Sequence, residues 1–181
     1  MNTRQRIETI ILYGVCICYI IVLLKILFLS RVSIAEIFNT ERSITRSINL
    51  VPFHSITEFI AGSTPNLKRF AFANVIGNIL IFFPLGVYLP LFKKNNITNV
   101  LSIIALSLFV EITQGLLGIG IADIDDIILN SIGGCIGLIV YRFLLFILRN
   151  KNRVMTAITV ISAIVGFPVT YYLLFMIKMR F

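Results

Sequence analysis

The chain has 181 residues, of which 58% are hydrophobic and only 13% charged, with a formal net charge of +8. A water-soluble domain carries about twice that charged fraction, and a mean hydropathy of +0.98 points to lipid as the solvent for most of the surface. The basic residues cluster at the ends of apolar runs, the pattern of membrane loops, which argues against nucleic acid as a partner.

Five apolar windows are each close to the roughly twenty residues a membrane crossing needs: 10–29, 72–92, 100–117, 127–148 and 154–177. The expected fold is therefore an all-α integral membrane protein, a single transmembrane domain over 1–181 with its five helices in a compact bundle. The first window follows Arg4 and Arg6 and is too long for a signal h-region, so it reads as a retained anchor. Lys25 near its end is expected to snorkel outward. Pro84 and Pro168 fall inside the second and fifth windows and are expected to bend them. Cys16, Cys18 and Cys135 all lie in apolar runs and offer neither a disulfide framework nor a metal-ligand spacing.

Residues 30–71 separate the first two windows. Regular hydrophobics run through this segment, and Ser55-Ile56-Thr57-Glu58 has the form of a capping box, so a short helix is expected from Ser55, ended by Gly62 and Pro65. The segment is expected to lie on the outer membrane surface and roof part of the bundle. Short loops carrying Lys93 and Lys94, and Arg149, Lys151 and Arg153, share a side with the N-terminal arginines if the spans alternate. That side is expected to be cytoplasmic, with the C-terminus outside.

Polar side chains within the spans carry the chemistry, because an ionisable group there is costly unless paired or facing a cavity. Glu111 lies about seven residues, roughly 10 Å, from the outer end of the third window, and Gln114 projects from the same face. Asp123, Asp125 and Asp126 precede the fourth window, and Asn130 lies one turn into it. Asn74 and Asn78 occupy one face of the second. Asn78, Glu111 and Asn130 thus converge in depth near the outer surface. Plainer roles stand beside this reading: Asp123 or Asp125 can cap the fourth helix, the asparagines can bond helices together, and Gly133, Gly134 and Gly137 can form a packing stripe. His54 reads more simply as an interfacial residue.

Four blocks in order resemble the VanZ family: Asn49-Leu-Val-Pro52-Phe53, Asn74-Val-Ile-Gly77-Asn78 continuing to Pro84-Leu-Gly86, Glu111-Ile-Thr-Gln114, and Asp123-Ile-Asp125-Asp126 continuing to Asn130-Ser-Ile-Gly133-Gly134. The resemblance runs from about residue 49 to 141. It implies a bacterial plasma-membrane protein associated with resistance to teicoplanin, a lipoglycopeptide that acts on cell-wall precursor outside the membrane.

Two functions follow as expectations. In the first, an outward polar cavity with Asn49, Asn74, Asn78, Asn130 and His54 binds or shields a membrane lipid or lipid-linked cell-wall precursor, or the lipoglycopeptide, while Arg46, Lys68 and Arg69 meet phosphate oxygens. In the second, a membrane-embedded hydrolase or transferase acts on such a lipid. Glu111 is then the acid/base, with Gln114 and Asp126 beside it. Asp123, Asp125 and Asp126 would be oxygen ligands for Mg²⁺ or Mn²⁺. A proton-linked transporter is disfavoured by the absence of an internal repeat.

Overall fold

The computed structural model describes residues 3–29, 47–61 and 64–176. Arg46 and the rest of 30–46 lie outside the described residues, as do the side chains of the expected capping pair, Ser55 and Glu58. Among the described residues the elements before the last helix include, in chain order, α1 (Thr3–Leu24), β1 (Ser47–Asn49), α2 (His54–Ala61), α3 (Pro65–Phe92), α4 (Asn96–Leu117), β2 (Ile121–Asp123) and α5 (Ile124–Leu148). The chain closes with α6 (Lys151–Tyr171), and short π-helical segments, Lys25–Leu29 and Tyr172–Met176, extend α1 and α6. Five of these helices, all but α2, are long and apolar enough to cross a membrane.

Local sequence sets the helix ends. The Thr64 hydroxyl accepts from the Leu67 amide, and Pro65 occupies the first turn of α3, where its missing N–H costs nothing. Pro65 therefore starts the long helix, which begins a full turn and more ahead of the apolar run at 72. Asn95 caps α4 by accepting from the Ile97 and Thr98 amides, and Asn150 caps α6 through Asn152. Gly118 ends α4 in the left-handed conformation, φ 60°, with its amide reaching the Gln114 and Gly115 carbonyls, a stop that a Cβ would strain.

The residues group into two compact units, one of 1–41 with 141–181 and one of 42–140. In the first, α1 packs against α6. Thr156 Oγ1 donates to Glu8 Oε2 at 2.8 Å, a Cβ at Gly166 would rest on Val15, and Lys25 Nζ donates to the Leu173 carbonyl at 2.7 Å. These pairs advance together along both helices, so α1 and α6 run parallel, as first and fifth crossings must. Lys25 does not snorkel outward: it is only 8% exposed. The carbonyl of Leu173 gives its ammonium an acceptor inside the helix pair, which the sequence could not reveal.

In the second unit α3 and α5 also run parallel, with bare backbone between them. A Cβ on Gly86 would collide with the Gly134 carbonyl, one on Gly133 with that of Ile79, and one on Gly137 with that of Phe83. Because lipid tails are as apolar as leucine, such close packing, and not water exclusion, is what holds spans together. The glycine stripe is thus a helix–helix seam. Helix α4 runs antiparallel to α5, as the Ser107–Asn130 bond and the approach of Ile103 to Gly134 show. Pro84 and Pro90 are both accommodated inside α3.

One feature has no counterpart in the apolar pattern. β1 and β2 form a two-stranded parallel sheet, with Ser47 opposite Ile121, Ile48 opposite Ala122 and Asn49 opposite Asp123. It fastens the segment before α3 to the turn between α4 and α5, while α2 packs on α3.

Candidate functional site

The polar residues of the second unit come together around the start of α5. Asp123 sits where β2 becomes α5 and caps that helix: its Oδ1 accepts from the Asp125 amide at 2.9 Å. Its Oδ2 accepts from Asn49 Nδ2 at 3.2 Å, and its own amide donates to Glu111 Oε2 at 2.9 Å. Asp123 therefore ties β1, α4 and α5 to one point. Asn49 also accepts from the Val51 amide through Oδ1, which turns the chain out of β1.

Asp125 is almost wholly buried and accepts from the Phe53 amide. Phe53 has φ 65°, a left-handed conformation that a bulky residue rarely adopts. Its carbonyl accepts from the Thr57 amide in the first turn of α2. The Asp125 carboxylate thus holds an unfavourable backbone conformation in place just where α2 begins. Strain of this kind persists only where the surroundings enforce it.

Asp126 faces α3. Its Oδ1 accepts from Asn74 Nδ2 at 3.2 Å and from Asn78 Nδ2, and Asn78 also reaches Asn74 Oδ1. One turn along α5, Asn130 donates to Ser107 Oγ at 3.0 Å. Both residues are fully buried, and the Asn130 Oδ1 has no hydrogen-bond partner among the described residues. Gln114 is buried beyond Glu111 on α4.

Asn49, Asn74, Asn78, Glu111, Asp123, Asp125 and Asp126 are therefore brought into one region by three helices and the small sheet. Asn130 lies a turn deeper, bonded to Ser107. Lys68, Arg69 and His54 are exposed: the first two on the opening turns of α3, the third at the start of α2. Arg46 lies outside the described residues. Among the bonds described, the three aspartates hold different groups: Asp123 the Asp125 amide and Asn49, Asp125 the Phe53 amide, and Asp126 Asn74 and Asn78. Among the described residues no group of three or more His, Cys, Asp or Glu could hold a metal ion.

Ser107 was not singled out by the sequence, although it lies four residues before Glu111 on the same buried face. The Phe53 amide carries no sequence signal at all, because its role depends on a backbone angle.

Beside this network lies a half-open cavity of about 340 Å³, at the small end of the range for ligand pockets. Leu108, Ile112 and Leu116 of α4 form one wall, and Ile48 and Leu50 in and just after β1 form another. Ile127 of α5 closes it, and among the described residues Glu111 and Asp123 bring the only ionisable side chains to its lining. Leu108, Ile112, Leu116, Ile48 and Leu50 are all exposed, so the cavity is a groove on an apolar surface.

The VanZ/LLP1 family model matches residues 15–149. Protein VanZ of Enterococcus faecium is 33% identical over 131 residues, 71% of each chain. No solved structure matches. The family match begins within α1, includes α2 to α5 and stops short of α6, so the helix that pairs with α1 lies beyond the matched region. With five apolar spans and these matches, the chain is a multi-pass membrane protein and belongs to the VanZ/LLP1 family.

Proposed function

We propose that this protein binds a cell-envelope lipid or lipid-linked precursor in the groove beside Glu111, and through it contributes to lipoglycopeptide (teicoplanin) resistance. The carrying observation is the groove itself: apolar walls from α4 and β1 lead to two carboxylates already fixed by hydrogen bonds. An acyl or prenyl chain suits the walls, and a polar head suits the carboxylate and amide end. Residues held this firmly are preorganised, so little ordering cost falls on binding. Family membership supports the link to resistance.

The setting we propose is the bacterial plasma membrane, with the N-terminus cytoplasmic, the C-terminus outside and the groove in the outer leaflet. Arg6, Lys93, Lys94, Arg149, Lys151 and Arg153 are all exposed, as cytoplasmic loop cations should be. The enzymatic alternative has Glu111 as acid/base and a divalent ion on the aspartates; the hydrogen bonds described engage these carboxylates with the Asp123 and Phe53 amides, Asn49 and Asn74.

The test is the teicoplanin minimum inhibitory concentration of a susceptible Gram-positive host expressing the chain. Wild type should raise it several-fold, and Ile112→Trp, which fills the groove from the lipid side, should not at equal membrane level. Equal protection by both would overturn the proposal.

A further inference from the structure

Resting on the lipid-binding reading, we infer that Asp125 is a positioning residue for the groove: by holding Phe53 in its left-handed conformation it fixes the wall that Ile48 and Leu50 present to the ligand chain.

That wall hangs between two anchors at the start of α5. Asn49, the last residue of β1, donates to Asp123 Oδ2, and Phe53 donates its amide to the Asp125 carboxylate. Only Leu50, Val51 and Pro52 lie between them. The Asn49 side chain also accepts from the Val51 amide. Pro52, with its own φ fixed, restricts Val51 before it to extended conformations. The run from Asn49 to Phe53 is therefore a short, stiff strap, and the placing of its two ends decides where Leu50 sits. The facing wall, Leu108, Ile112 and Leu116, belongs to the single long helix α4, so the position of the strap sets the width of the groove.

Of the two anchored residues, Phe53 alone has a positive φ, so Asp125 works against the preference of the backbone it holds. Released from it, Phe53 would turn to negative φ, as bulky residues do. Rotation about its N–Cα bond swings the strap on one side against α2 on the other. The α2 side is the better held: the Phe53 carbonyl accepts from the Thr57 amide, Thr57 Oγ1 donates to the His54 carbonyl, and the helix packs on α3. The strap is thus the side that moves, and Leu50 moves with it. The Phe53 ring is exposed and does not line the groove, so this residue acts on the ligand through its backbone angle.

The experiment measures dioleoyl phosphatidylglycerol retained by the full chain in detergent micelles, read by native mass spectrometry at equal protein. Asp125→Ala should weaken retention about tenfold, the scale set by the left-handed penalty of a bulky residue. Glycine takes that conformation without the penalty, so adding Phe53→Gly to Asp125→Ala should restore most of the loss. The same Phe53→Gly change in the otherwise wild-type chain should alter retention far less. A merely structural role for Asp125 gives no such rescue. The inference is overturned if Asp125→Ala retains the lipid as wild type does, or if the pair retains no more than Asp125→Ala. Equal effects of Phe53→Gly in the two backgrounds would also overturn it. If Ile112→Trp retains the lipid as wild type does, the groove is not the binding site and both readings fail. If Ile112→Trp loses the lipid and Phe53→Gly brings no rescue, only the inference about Asp125 fails.

Discussion

Asp126 of α5 accepts hydrogen bonds from two asparagines one turn apart on α3, Asn74 and Asn78, through a single carboxylate oxygen. This is a polar clasp at one end of a seam whose other contacts are glycine against backbone. Within lipid the amides have no water to turn to, so the clasp should matter to stability. Asp126→Ala removes the acceptor from two donors at about 1–3 kcal/mol each. Thermal unfolding in detergent should show a clear loss for Asp126→Ala and a smaller one for Asp126→Asn, which keeps an acceptor.

The seam itself makes a sharper prediction. Gly133→Ala and Gly137→Ala place a methyl against carbonyls of α3 that cannot move aside without shifting the helix, and each should cost about 1–3 kcal/mol or more. Gly77 on the same helix α3 has nothing within 4 Å of a built Cβ, so Gly77→Ala should be neutral or stabilise by up to about 1 kcal/mol. Comparable losses at Gly77 and Gly133 would remove the seam from the account.

Glu111 serves the fold as well as the groove. Glu111→Ala leaves the Asp123 amide without its side-chain acceptor and should loosen β2 and, through the Asn49–Asp123 bond, β1. Hydrogen exchange at 47–49 and 121–123 should quicken in Glu111→Ala and stay near wild type in Glu111→Gln. Unchanged exchange in the alanine variant would show that the sheet is held without Glu111.

In the other unit, Lys25 fixes the end of α6 through the Leu173 carbonyl. Lys25→Met keeps the length of the side chain and removes the donor. Replacing a buried cation by an apolar residue can leave overall stability unchanged, so the expected effect is local: faster hydrogen exchange over 170–176, with 151–160 unaffected. Uniform change along α6 would contradict this.

The spans were legible because apolar runs of this length have few other uses, and every expected window falls within a helix apart from the π-helical ends and the undescribed tail. The start of α3 was hidden because its opening turns hold Asn66, Lys68 and Arg69, which carry no apolar signal; a capping Thr64 and Pro65 mark it instead. The candidate site was legible as a set of expensive residues, and Asn74, Asn78 and Asp126 do meet. Its wiring was not. Three-residue strands have no periodicity to read, so the sheet that brings Asn49 to Asp123 left no trace. The left-handed Phe53 and the carbonyl partner of Lys25 are backbone features, invisible in side-chain identity.

The central claim is that a lipid chain occupies the groove between α4 and β1. Its most direct test is a photoactivatable lipid with a diazirine in the acyl chain, crosslinked to the full protein in bilayers and mapped by peptide mass spectrometry. Labelling should concentrate on Leu108, Ile112 and Leu116 and on Ile48 and Leu50, well above Leu101 and Ile104. Those two residues of α4 are also exposed but lie outside the groove. Ile112→Trp should abolish the excess. Labelling spread evenly along the exposed face of α4, unchanged by Ile112→Trp, would contradict the claim.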